Sequence, residues 1–125
     1  MIRGVGIDII EIARIRRDIE LLGPRFTDKL FTDGEIRYCT AKAIPHQHFA
    51  ARFAAKEAVS KALATGWAGE FRWKDVEVVN DPSGRPGIVL HGSLHDALGS
   101  ANIHLSLSHS EAHVVAVAII EDHRT

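Results

Sequence analysis

Cysteine is almost absent: Cys39 stands alone in 125 residues. That excludes an intrachain disulfide framework and a cysteine zinc cluster, and it fits a reducing compartment, the cytoplasm. Excess charge of either sign is also lacking. A formal net charge of −1 argues against a general nucleic-acid or membrane-surface role, since either normally shows a basic excess or patch. No run of about 18 apolar residues occurs, and no long apolar segment follows a basic start, so neither membrane spanning nor secretion is expected. Walker-type, Gly-x-Gly-x-x-Gly and Gly-x-Ser-x-Gly motifs are missing, which removes P-loop hydrolysis, Rossmann binding and the usual serine hydrolase. Repeats, low-complexity tracts and linkers are missing too. What is present, 46% hydrophobic and 25% charged residues, suits one compact domain, residues 1–125, with a modest core.

A strand is expected from Arg3 to Ile10, then an amphipathic helix from about Glu11 to Leu22 with the stripe Ile12, Ile15, Ile19 and Leu22. Gly23-Pro24 stops it. Thr32 and Glu35 have capping-box spacing and open a short helix reaching about Thr40, with Asp33 suited to its positive end. Pro45 starts a helix of about 20 residues that Gly66 ends. The pattern then alternates. Val76 to Val79 and Gly87 to Leu90 read as a hairpin around the turn Asn80 to Pro86. A short helix, capped by Ser93 and reaching Leu98, precedes two strands, Ile103 to Ser108 and Val114 to Ile120. Helices and antiparallel strands in separate runs predict an α+β fold, mostly antiparallel sheet with helices packed on one face.

Two carboxylates stand where carboxylates are unfavourable. At about 100° per residue, Glu57 lies within roughly 60° of Ala50, Phe53, Ala54, Ser60, Lys61 and Ala64, at the margin of the stripe Phe49, Ala50, Phe53, Ala54 and Ala64. Desolvating it alone is costly, so a cation is expected beside it, either Lys61 one turn on or a bound metal. The alternative is an ordinary solvated Glu-Lys pair worth a few tenths of a kcal/mol. Asp8 weighs against that alternative, because it interrupts the apolar strand Val5 to Ile10. Alternation puts Gly6, Asp8 and Ile10 on one face and Ile7 and Ile9 on the other, so the small Gly6 is expected to leave open space beside the carboxylate. Two isolated carboxylates on apolar elements suggest a hard-cation site with oxygen ligands.

Other segments carry weaker signals. Gly84 permits close backbone approach while Pro82 and Pro86 stiffen the turn, which makes it a candidate ligand edge as well as an ordinary hairpin turn. Ser106 and Ser108 alternate with Leu105 and Leu107, and His109 ends that strand, so hydroxyls and an imidazole there suit phosphate oxygens. Eight histidines give no zinc spacing. His109 and His113 would lie about 13 Å apart in an extended segment, and neither His91 with His95 nor His46 with His48 has a third ligand.

Taken in order, Gly4-Val-Gly-Ile-Asp8-Ile-Ile-Glu-Ile12 with Arg14, Phe31 with Glu35, Ala51-Arg-Phe-Ala-Ala-Lys-Glu-Ala58 with Lys61-Ala62, Gly84-Arg-Pro86, and Leu105-Ser-Leu-Ser-His109 span nearly the whole chain. This set resembles the bacterial holo-(acyl-carrier-protein) synthases, the short trimeric class of 4′-phosphopantetheinyl transferases. The resemblance implies transfer of phosphopantetheine from coenzyme A to a serine of an acyl carrier protein or carrier domain, releasing adenosine 3′,5′-bisphosphate, in fatty-acid biosynthesis. It implies Asp8, Glu57 and Lys61 as catalytic residues, with Mg2+ held by Asp8 and Glu57 and with Lys61 on the bridging phosphates. Arg52 and His109 match positions that hold phosphates, and Gly84 and Pro86 match the loop against which adenine lies. Arg14 matches a carrier-contact position, with Arg17, Arg25 and Phe26 as neighbours. His113 and Ser110 depart mildly from the family pattern.

The same resemblance implies a homotrimer with active sites between adjacent subunits. The helical wheel agrees, because Arg52 lies roughly 140° from Glu57 and the two can hardly face one monomer's pocket. Two other classes stay open on these residues: a different Mg-dependent phosphotransferase acting on a pyrophosphate nucleotide, and a non-catalytic trimeric binding module.

Overall fold

The structure, a computed structural model, describes residues 1–64 and 69–122. Strand β1 (Ile2–Glu11) leads into helix α1 (Ile12–Leu22), followed by α2 (Pro24–Leu30), α3 (Asp33–Thr40) and the long α4 (Pro45–Leu63). After a 3-10 turn at Trp73–Asp75 come the hairpin β2 (Val76–Asn80) and β3 (Pro86–Leu90), helix α5 (Gly92–Leu98), and strands β4 (Asn102–His109) and β5 (His113–Glu121). Among the described residues the strands form an antiparallel sheet in the order β1-β5-β4 and a separate two-stranded hairpin. The α+β class is as expected, and α4 packs along one face of β1 and β5.

Small residues set how closely α4 approaches the sheet. Its inner face is Ala50, Ala54, Ala58 and Ala62, all buried. Opposite lie Gly4 and Gly6 of β1, with Ala118 and Ala116 of β5 paired to Gly6 and Asp8. A Cβ on Gly6 would run into the Ala58 carbonyl and come within 2.7 Å of the Ala62 amide nitrogen. Gly6 therefore leaves no open space beside Asp8, contrary to the sequence expectation. Helix backbone fills it, and that contact fixes β1 against α4. Larger apolar groups close the rest of the core, including Phe49 and Phe53 of α4 with Phe31, Ile15 and Val59, each worth about 1.5–3 kcal/mol on burial.

The capping box at Thr32 forms as predicted, and Glu35 does more than cap. Its carboxylate accepts from the Thr32 and Val78 backbone amides and pairs with Lys56 at 2.8 Å, both side chains fully enclosed. Lys56 also donates to the carbonyls of Trp73 and Val76, so one buried ion pair ties α3 and α4 to the start of the hairpin. Cys39, on the inner side of α3, has no exposure, and burial pushes its thiol up to about 12.

Several sequence expectations need correction. Gly23-Pro24 ends α1 and also begins α2, because a proline at the first helical position loses no hydrogen bond. Leu22, placed in the buried stripe of α1, is 41% exposed. Helix α5 starts after His91 without a side-chain cap, so Ser93 is not its cap. Ala64 is an exposed cap rather than part of the α4 stripe, and the expected stop at Gly66 lies outside the described residues. His109 and His113 are not in one extended segment. Their strands pair as a hairpin, with Ser110 donating its amide to the His113 carbonyl.

Candidate active site

Asp8, Glu57 and Lys61 come together where β1 crosses α4. Alternation along β1 points Asp8 to the α4 side with Gly6 and Ile10, while Val5, Ile7 and Ile9 face outward at 59–64% exposure. Lys61, in the last turn of α4, donates to the Asp8 carboxylate at 3.0 Å and to the Ile7 carbonyl at 3.1 Å. The expected partner of Glu57 within the helix has thus turned to the strand. Glu57 is half-buried, and its carboxyl is held above its ordinary value by burial and by the nearby Asp8 charge, against which Lys61 and Arg14 pull down. Two carboxylates with incomplete cationic compensation form a site able to accept a hard divalent cation, which takes one or two carboxylates and fills its shell with water and phosphate oxygens. Among the described residues no larger metal-ligating cluster exists.

Arg52, Gly84, Pro86 and His109 form a second group, lining one cleft of about 580 Å³ between α4, the hairpin turn and β4. Asp8, Glu57 and Lys61 do not line it. Arg52 is buried, donates at 2.9 Å to the Asn80 side-chain oxygen, and lies over the Tyr38 ring with 4.1 Å to its centroid. Its Nε is enclosed without a partner among the described residues. Asn80 in turn donates to the Gly84 carbonyl at 3.0 Å. The turn is braced by Asp81, whose carboxylate accepts from the Ser83 and Arg85 amides, and Gly84 adopts φ +90°. At the opposite wall, the Gln47 amide nitrogen lies 2.7 and 3.0 Å from the two ring nitrogens of His109.

Tyr38 and Gln47 escaped the sequence reading, and Asn80 entered it only as one end of the candidate turn, without its bond to Arg52. Asn80 has the composition of any turn residue, and Tyr38 and Gln47 lie on helices whose orientation only packing decides. The carrier-contact candidates are spread over α1 and α2. Arg14 and Arg25 are exposed, Arg14 with its guanidinium 5.8 Å from the Phe53 ring centroid. Phe26 is half-buried, packed against Phe31 and Phe53. Leu21 beside them is 72% exposed.

Residues 4–118 match the family model described as the 4′-phosphopantetheinyl transferase superfamily. The chain is 49% identical over 125 residues to a holo-[acyl-carrier-protein] synthase of Koribacter versatilis, covering 98% of this chain and 100% of the relative. It is 50% identical over 118 residues to one from Chlamydia trachomatis, covering 94% and 98%. Among solved structures, the synthase of Neisseria meningitidis superposes with a TM-score of 0.87 at 31% identity, over 98% of this chain and all of that one (100%). The Bacillus anthracis synthase, solved in complex with CoA (3′,5′-ADP), gives 0.81 at 35%, covering 98% of both. With the motifs in order and relatives matched over nearly their whole length, the chain belongs to the 4′-phosphopantetheinyl transferase superfamily, among its holo-(acyl-carrier-protein) synthases.

Proposed function

We infer that this protein, as one cytoplasmic phosphopantetheinyl transferase domain, moves 4′-phosphopantetheine from coenzyme A to a serine of an apo acyl carrier protein or carrier domain, using a pocket shared between two copies of the chain. The observation that carries the shared pocket is the division of the candidate residues into two groups. Asp8, Glu57 and Lys61 lie at the β1/α4 seam, while Arg52, Gly84, Pro86 and His109 line a separate cleft. Coenzyme A has two anionic centres, a pyrophosphate and a phosphomonoester. The seam suits the pyrophosphate, where bonds change. The cleft, with its guanidinium and imidazole, suits the phosphomonoester, and its rigid turn suits adenine.

An outer face of the sheet supports assembly. Rows Val5-Ile119, Ile7-Val117 and Ile9-Val115 run across β1 and β5 on the side away from α4. An exposed apolar patch on a sheet face is a contact surface in a soluble protein. A homotrimer in which each copy lends its cleft to a neighbour's seam covers that face and completes the site.

At the seam, Asp8 and Glu57 would hold Mg2+, which would supply the positive charge that offsets the phosphate oxygens of the pyrophosphate. The carrier serine oxygen forms a bond to the pantetheine-bearing phosphorus, and the bond from that phosphorus to the bridging oxygen breaks. Lys61 stabilises the departing adenosine 3′,5′-bisphosphate by charge or proton donation. Glu57, half-buried at the seam, is the chain's own carboxylate that would take the serine proton. Carrier proteins are acidic, and the exposed Arg14 and Arg25 with Leu21 and the partly exposed Phe26 offer a basic and apolar docking surface. No helix among the described residues is long and apolar enough to cross a membrane.

The test incubates the protein with apo carrier protein, coenzyme A and magnesium and looks by mass spectrometry for the added phosphopantetheine. Addition that stops with chelator supports the reading, and an unmodified carrier overturns it. Mixing Arg52→Ala and Glu57→Ala chains tests the shared pocket. Hybrid assemblies regain activity if each chain supplies one intact half, and complete inactivity counts against sharing.

A further inference from the structure

His48 sits among cations in the cleft, with no carboxylate in the lining. Tyr38 of α3 packs edge-on to its ring, with centroids 5.8 Å apart. The Arg52 guanidinium and the Lys42 ammonium lie 4.1 and 4.5 Å from the centre of that same Tyr38. Across the cleft stand Arg85 on the turn and His109 at the end of β4, the latter against Gln47. Among the described residues the His48 side chain has this ring contact and no hydrogen bond, so its ring nitrogens are free to meet a ligand. In the free protein, burial first and then Lys42, Arg52 and His109 hold the imidazole below its ordinary protonation range.

Arginine and lysine keep their charge across the working pH range, whereas an imidazole gains or loses it. A phosphomonoester entering the cleft brings the negative charge that the lining lacks, and a nearby anion favours the protonated ring. We propose that His48 takes up a proton as the coenzyme's phosphomonoester binds and becomes a charged donor to it, so that preference for coenzyme A over dephospho-coenzyme A strengthens as pH falls. This rests on the reading above that the cleft, rather than the β1/α4 seam, seats the phosphomonoester. His48 is then a specificity-determining residue that reads one phosphate, while the pyrophosphate common to both compounds is handled elsewhere.

Calorimetric titration of coenzyme A and dephospho-coenzyme A, in buffers of different ionisation enthalpy, measures affinity and proton uptake together. Wild type takes up more protons with coenzyme A near pH 7 than His48→Gln does, and the two proteins behave alike with dephospho-coenzyme A. His48→Gln weakens coenzyme A binding about tenfold near pH 6 and little near pH 8.5, the scale of one charge-assisted hydrogen bond. The phosphate's own ionisation is common to both proteins and cancels in the comparison. Equal proton uptake by the two proteins overturns the proposal, as does an equal loss of affinity at every pH, which is what a packing role gives. Arg52→Ala separates the parent reading: if it leaves the preference for coenzyme A over dephospho-coenzyme A intact, the cleft is not the phosphomonoester site and both readings fall.

Discussion

Lys61 reaches from α4 to Asp8 on β1 at 3.0 Å, although Glu57 lies one turn back on its own helix. Lys61 is 53% exposed while Asp8 is only 13% exposed, so the cation's end of the pair is open to water and its loss costs on the order of 1 kcal/mol. Lys61→Met is therefore expected to melt close to wild type while slowing single-turnover modification of the carrier by about 10²–10⁴-fold. Thermal unfolding and mass spectrometry on the same preparation check both halves, and a large fall in melting temperature with activity retained would contradict the assignment.

Glu57 makes the opposite trade. Because the folded protein holds its carboxyl above the ordinary value, ionisation costs stability. The contribution is fully present below the unfolded value of 4.5 and is lost as pH rises through the folded one. Glu57→Gln removes that loss. Without magnesium the variant melts with wild type near about pH 4 and above it at neutral pH, and with magnesium supplied it transfers no phosphopantetheine while wild type does. Melting curves across pH in chelator decide the point.

Gly6→Ala tests the seam itself. The added methyl has nowhere to go but into the α4 backbone at Ala58 and Ala62, which a flexible side chain cannot relieve. A loss of about 3 kcal/mol or more is expected, with Asp8 displaced from Lys61. Urea unfolding measures the first, and weakened magnesium-dependent activity in the folded fraction reports the second.

Lys56→Met leaves the Glu35 carboxylate buried without its cation and is expected to cost about 3–5 kcal/mol. Adding Glu35→Gln removes the orphaned charge and recovers a large part of the loss, although Glu35 also serves the Thr32 and Val78 amides. A double-mutant cycle in denaturant gives the coupling, and additive losses would mean that the pair is not a unit.

The elements were legible where one strong local pattern governs them. The alternation around Asp8, the Thr32-Glu35 spacing and the hairpin turn each announce their structure. What stayed hidden depends on contacts across the chain. The turn of Lys61 from Glu57 to Asp8 depends on how near β1 lies to α4, which is set by Gly4 and Gly6 against Ala58 and Ala62. Lys56 reads as an ordinary helical lysine until Glu35, 21 residues earlier in the numbering, is folded beneath it. Asn80 acquires its role as a bracket between Arg52 and the turn from the meeting of α4 with the hairpin. Leu22 follows the helical period but falls where α1 turns away from the core.

The burial of Cys39 has a consequence for a protein whose substrate ends in a sulfhydryl. Oxidised coenzyme A and other disulfides exchange only with an accessible thiolate, and a thiol at about 12 inside the core provides almost none. The enzyme can therefore work beside reactive sulfur without becoming covalently trapped by it, and native samples should resist mixed-disulfide formation until the chain unfolds.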